Sequence, residues 1–285
     1  MKEESLQKLI TAIRSKSELS TLNEDFIKEH LTLFLKKEPK IAKILEENTH
    51  AKSAVYKETV KCVRAKLRKV YGLYRRGKLS TALDKFWKEL QTEKDNQKRK
   101  TIIKKLLETH FSTRERWPHY VLLYKQIFKI TGKPEVILDL GCGLNPLSFS
   151  FMELEDISYY AYDLNQQEID VIKEYFTLLQ QESHKFQGEA IIKDFLQEQN
   201  FPQASVAFLF KMTDIIDQGK GHKRTEDLLI RLPVKYAVIS FPTLTMSGKP
   251  MNAPRRKWVE WMCQRVGYKY TVLEFNNEIF YVIKK

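Results

Sequence analysis

The stretch VILDLGCGLNPL, residues 136–147, limits what this chain can fold into more than any other. Val136 to Leu140 reads as a strand. It runs into a turn holding Gly141 and Gly143 and then into Asn145-Pro146. Glycines there let the backbone take angles closed to other residues and come close to a ligand. Further strand patterns follow at 157–164, 189–195, 205–212, 235–242, 269–275 and 278–285, with helical stretches at 166–179 and 255–267. Alternating β and α units predict an α/β fold with a mostly parallel, doubly wound sheet. Such sheets bind ligands beyond the carboxyl ends of their strands, where this turn lies.

The turn is selective about its ligand. A dinucleotide fingerprint needs a third glycine where Pro146 stands, and a phosphate cradle needs a Lys-Ser/Thr pair that is missing, so NAD and ATP are both disfavoured. Asp163 ends the second strand, and a carboxylate there can accept from both hydroxyls of a ribose. Asp194 ends the third strand, where it could receive the amino group of an adenine. A glycine turn with an acid after each of the next two strands is the constellation of S-adenosylmethionine binding. The blander alternative is that these acids cap helix N-termini. Other methylation chemistries lack their residues. "FKMT" after the fourth strand is not the Asn/Asp-Pro-Pro-aromatic pattern of exocyclic-amine methylation. Cys62, Cys142 and Cys263 read as packing thiols rather than pyrimidine nucleophiles.

Charge divides the chain. Residues 1–110 hold 27 Lys/Arg against 15 Asp/Glu, whereas residues 111–285 hold 22 against 21. The first part reads as helical. Leu6, Leu9, Ile10 and Ile13 share one face, and a second helix starts near Asn23 and ends near Pro39. Lys61 to Lys78 carries eight basic residues and no acid, with Val63, Leu67, Val70 and Tyr74 on one face and Lys61, Arg64, Arg68 and Arg75 on another. That pattern suits a polyanion, with binding that weakens in salt. The expected boundary lies near His110. Three scattered cysteines suit a reducing cytosol. No membrane span, secretory leader or metal site is expected.

The pieces HFSTRERWP, LDLGCGLNPL, YYAYDLN, FLFKM, VISFPTLTMSGK and NNEIFYVIKK stand in this order. Together they resemble the aminoglycoside-resistance 16S ribosomal RNA (guanine-N7) methyltransferases. The resemblance implies a Rossmann-like class I methyltransferase domain over 111–285, behind a basic all-helical domain over 1–110 that docks on 16S rRNA in the small ribosomal subunit. It implies S-adenosylmethionine as cofactor and a cytoplasmic monomer. Thr113, Arg114 and Arg116 would hold the methionine carboxylate, with Gly141 and Gly143 at the same end. Asp163 and Leu164 would hold the ribose, and Asp194 and Phe195 the adenine. Lys211, Met212, Ser240 and Phe241 would position the target base. Lys61, Arg64, Lys66, Lys69, Arg68, Arg75 and Arg76 would meet phosphates. The polar loop 213–227 and the basic loop 246–257 depart from the family's pattern, so methylation of another base, such as adenine N1, and a non-catalytic ribosome-binding factor stay open here.

Overall fold

In a computed structural model, which describes residues 3–47, 50–51, 53–71, 79–217, 221–245 and 248–285, helices come first and a seven-stranded sheet follows. The first helices are α1 (Glu3–Arg14), α2 (Glu24–Lys37), α3 (Pro39–Glu47) and α4 (Ala54–Tyr71). They close on a core that includes Leu9, Ile13, Leu31, Val63 and Leu67. Asn23 caps α2, its Oδ1 accepting from the Phe26 amide at 3.0 Å. Pro39 opens α3, in the first turn, where its missing N–H costs nothing.

Next come α5 (Leu79–Thr92), α6 (Asn96–Glu108), α7 (Phe111–Arg116) and α8 (Tyr120–Thr131). The sheet is built from β1 (Val136–Leu140), β2 (Ile157–Asp163), β3 (Phe186–Ile192), β4 (Ala204–Phe210), β5 (Val234–Pro242), β6 (Lys269–Glu274) and β7 (Glu278–Lys284). Its order is β3-β2-β1-β4-β5-β7-β6. Strands β1 to β5 pair in parallel, and β7 runs antiparallel between β5 and β6. The connecting helices are α9 (Gln166–Glu182), α10 (Thr213–Asp217), α11 (Lys223–Arg231) and α12 (Lys257–Val266).

A parallel sheet must bury both faces, and the period-two alternation of each strand sorts its side chains accordingly. Ile137, Tyr159, Val206 and Phe208 enter one core with α5, α6, α8 and α9. Leu138, Leu140, Ala207 and Leu209 enter another with α10, α11 and α12. The connections reverse direction between β1 and β4, so the switch-point crevice opens at Gly141 and at Lys211-Met212.

Three expectations are corrected. The cores do not divide at His110, because Trp87, Leu90, Ile102, Leu106 and Leu107 of α5 and α6 belong to a core of the sheet. The separate helical core ends with α4. Strand β3 ends at Ile192, so Asp194 sits in the loop beyond it. Of the expected loop 213–227, residues 213–217 form α10 and 223–227 begin α11. Among the described residues no helix is long and apolar enough to cross a membrane.

Candidate active site

The glycine turn is tied down by its neighbour strand. The amides of Gly141 and Cys142 donate to the Tyr162 carbonyl at 2.9 and 3.0 Å. The Gly143 amide donates to Asp163 Oδ2 at 2.9 Å, while Oδ1 accepts from the amides of Leu164 (2.7 Å) and Asn165 (2.9 Å). Three of the roughly four acceptor sites of the carboxylate are therefore taken by backbone. Room is left for about one ribose hydroxyl, not the two expected. Gly141 takes φ +70°, and a Cβ there would run into the end of the Met212 side chain. Any other residue would both strain the turn and push into Met212.

Around this turn opens a cavity of about 740 Å³, a size typical of small-molecule sites. Its wall includes Arg116, Gly141, Gly143, Asp163, Leu164, Asp194, Phe195, Lys211 and Met212, so one space joins the strand tips that the sequence singled out. Asp194 Oδ1 accepts from the Leu196 amide at 2.9 Å. Burial raises its pKa, partly against that bond.

Behind one end of the cavity lies a buried ion network. Arg116 donates through Nε to Glu278 Oε2 at 3.2 Å and through Nη2 to Oε1 at 2.8 Å. Its Nη1 donates to Asn145 Oδ1 at 3.2 Å, and its guanidinium lies 4.6 Å from the Phe210 ring centroid. Lys211, at φ +59°, turns its ammonium to Glu115 Oε2 at 2.5 Å and to Glu278 Oε2 at 3.6 Å. Burial opposes the charge on Arg116, but Glu278 outweighs it and the pKa rises. Burial likewise opposes the Glu278 carboxylate, yet Arg116 and Lys211 hold its pKa below the usual range. Asn145 Nδ2 donates to Asp139 Oδ2 at 2.9 Å and the Tyr159 hydroxyl donates to the same atom at 2.7 Å. Burial pushes Asp139 up to about 6 despite both bonds.

Other expected site residues lie elsewhere. Thr113 is buried, its hydroxyl donating to the carbonyls of Leu107 and His110 (3.2 Å to the latter). Arg114 is exposed over the Phe111 ring. Ser240 is buried behind the wall, donating to Glu278 and accepting from the Lys211 amide. Phe241 packs edge-on against Trp258 and Tyr281 in the core. None of these four lines the cavity. Lys211 lines it, but its charge is engaged with carboxylates rather than turned to an entering base.

The basic helix is also reassigned in part. Arg64 donates to the carbonyls of Ala12 and Ile13 and to Ser15 Oγ, so it caps the C-terminal end of α1. Arg68 pairs with Glu18 at 2.6 Å. Lys61 stays largely in solvent, and Lys66 turns into the cavity wall. Burial lowers the pKa of Lys66, and Lys37 and Arg224 lower it further. Arg75 and Arg76 lie outside the described residues, as does the side chain of Lys69.

The sequence did not single out His110, Ser112 or Glu278. His110 lies over the turn, 3.4 Å from where a Gly143 Cβ would stand, and its Nδ1 is 3.0 Å from Ser112 Oγ. Both line the cavity. HFSTRERWP and NNEIFYVIKK contain all three, but no spacing rule pairs Arg116 with a carboxylate 162 residues away.

Comparison with known proteins agrees with this geometry. The family model described as Ribosomal RNA methyltransferase (FmrO) matches residues 36–282. A 16S rRNA (guanine(1405)-N(7))-methyltransferase of Proteus mirabilis is 28% identical over 243 residues, covering 80% of this chain and 85% of that protein. One of Micromonospora echinospora is 28% identical over 197 residues, covering 67% and 69%. The 16S rRNA methyltransferase RmtF, solved with S-adenosyl-L-homocysteine, shares the fold at a TM-score of 0.74 and 21% identity, with 100% of both chains covered. The 16S rRNA methylase ArmA gives a TM-score of 0.56 at 27% identity, covering 72% of this chain and 98% of its own. With a match spanning nearly the whole chain, on a switch-point cavity built around its own glycine turn, this protein belongs to the ribosomal RNA methyltransferase (FmrO) family.

Proposed function

We propose that the chain transfers a methyl group from S-adenosylmethionine to N7 of guanine 1405 of 16S rRNA, the reaction for which its curated relatives are named. The substrate is the small ribosomal subunit, the enzyme acts as a cytoplasmic monomer, and a host making it gains aminoglycoside resistance. The observation that carries the reading is the single cavity shared by Arg116, the glycine turn, Asp163 and Asp194.

These residues suit the cofactor by their chemistry. Arg116 has five N–H donors. Three bond Glu278 and Asn145 and a further contact goes to Tyr120, so what suits a carboxylate is the positive charge that Arg116 brings to the cavity wall. Asp163 keeps one acceptor position for a ribose hydroxyl. Asp194 and Phe195, which line the same cavity, supply an acceptor for a purine edge and a ring for its face. Bound there, S-adenosylmethionine supplies an electrophilic methyl on a sulfonium. Guanine N7 carries a free lone pair at neutral pH, so no side chain has to take a proton. The protein's work is alignment, with nucleophile and methyl held about 3–3.5 Å apart. Met212, against the turn, borders the space a base would enter. The base must first leave its stack, at a few kcal/mol. Lys61 on α4, with Lys66, Lys37 and Arg224 at the cavity rim, supplies positive charge for phosphates.

The test uses purified small subunits incubated with the enzyme and S-adenosylmethionine. Borohydride and aniline then cleave at N7-methylguanine, and primer extension reads the break. A break at guanine 1405 is expected. No break, or one only elsewhere, overturns the assignment.

A further inference from the structure

The cavity is not built by the sheet domain alone. Phe26, Glu29, His30 and Leu33 of α2 line it together with Asp194 and Phe195. Helix α2 is fixed there by main chain. The Asn23 amide donates to the Leu164 carbonyl at 2.9 Å, the Gln166 amide donates to the Thr21 carbonyl at 3.0 Å, and Leu22 bridges Asn165. A second tie joins α2 to the loop of Asp194, where Gln197 Nε2 donates to Glu29 Oε1 at 3.3 Å.

His30 is oriented within this wall. Its ring packs on Phe26 with centroids 4.2 Å apart, and its Nδ1 lies 3.1 Å from the Phe26 carbonyl. A carbonyl can only accept, so Nδ1 carries the hydrogen. In a neutral ring Nε2 is then a bare acceptor, and it has no hydrogen-bond partner among the described residues. Burial lowers the ring's pKa, against the opposing pull of the Phe26 carbonyl, which favours the neutral form at pH 7.

An adenine 6-amino group offers two hydrogens, and Asp194 accounts for one. We infer that His30 Nε2 is the second acceptor for the 6-amino group of the cofactor's adenine, so that the helical domain takes part in reading the base. This rests on the assignment of S-adenosylmethionine to the cavity. It makes His30 a specificity-determining residue contributed from outside the methyltransferase fold. A 6-oxo purine would set its own acceptor against two protein acceptors, and buried acceptors facing each other are strongly disfavoured.

Calorimetry with S-adenosylhomocysteine and its deaminated analogue, S-inosylhomocysteine, tests this on the whole chain. His30→Phe keeps a ring against Phe26 and removes the acceptor. It should weaken S-adenosylhomocysteine about ten-fold, which is 1.4 kcal/mol, and leave the deaminated analogue unchanged or tighter. His30→Gln, which offers an amide N–H as well as an acceptor, should relax the preference in the same direction and serves if the Phe variant does not fold. Equal losses for both compounds, or no loss for either, would overturn the role of His30. Wild-type protein that binds neither compound would instead overturn the cofactor assignment, and this inference with it.

Discussion

Arg116 is 2% exposed and meets Glu278 through two N–H bonds. Lys61, on α4, has 77% of its side chain in solvent and only a 3.5 Å contact with Glu58. Between these extremes lie Arg64 and Arg68, which spend their donors on α1 and Glu18. The sheet domain keeps two cations, Arg116 and Lys211, dry and paired beside the cavity, where they can hold a small ligand's charge in one place. The helical domain keeps some of its cations wet, where they can exchange counterions for phosphates. A count of Lys and Arg sees no difference between the two uses.

Glu278→Ala should break this contrast most severely. It leaves two buried cations, Arg116 and Lys211, short of their carboxylate, and stability should fall by about 3–5 kcal/mol in chemical denaturation. A loss below about 1 kcal/mol would mean that the network is solvated. Asp139 should respond to pH. Its folded pKa of about 6 lies above the usual carboxylate value, so the folded state holds the proton more tightly. The stability it contributes is present below about pH 4 and is lost as pH rises to about 6, on the order of 2–3 kcal/mol. Asp139→Asn should flatten that part of the profile, and denaturation midpoints between pH 4 and pH 7 would show whether it does. Glu278 works with the opposite sign, its contribution being lost as pH falls through its lowered pKa.

The helical domain offers a finer test. Arg64→Ala removes bonds to the end of α1 and should cost about 1–2 kcal/mol. The salt dependence of rRNA binding should stay as it was. Lys61→Ala should do the reverse, leaving stability within about 0.5 kcal/mol and lowering the salt slope by about one unit. Equal changes in slope for the two variants would erase the distinction between them.

The sequence made the strand-turn-strand unit legible because period-two alternation, paired glycines and an acid after each strand are local signals. It could not place α5 and α6, since an amphipathic helix carries the same pattern whichever core it covers. The direction of Arg64 was hidden for a related reason. A face of the helical wheel can be read from spacing, but α1, some fifty residues earlier, is what that face meets. Thr113 sits next to the cavity residue Ser112 in the chain yet bonds to the carbonyls of Leu107 and His110, and Ser240 lies in the buried strand β5 and bonds Glu278 instead. Glu278 became visible only when the last strand folded back beside β5.

The main-chain stitches between residues 21–23 and 164–166 have a consequence for how the rRNA is met. They clamp the first helices to the rim of the catalytic crevice, so the protein resembles a fixed jig rather than a hand that closes. With the crevice held in this way, the base is the part that has to leave its stack to reach it. The less a nucleotide of the rRNA is held by its neighbours, the cheaper it becomes to modify.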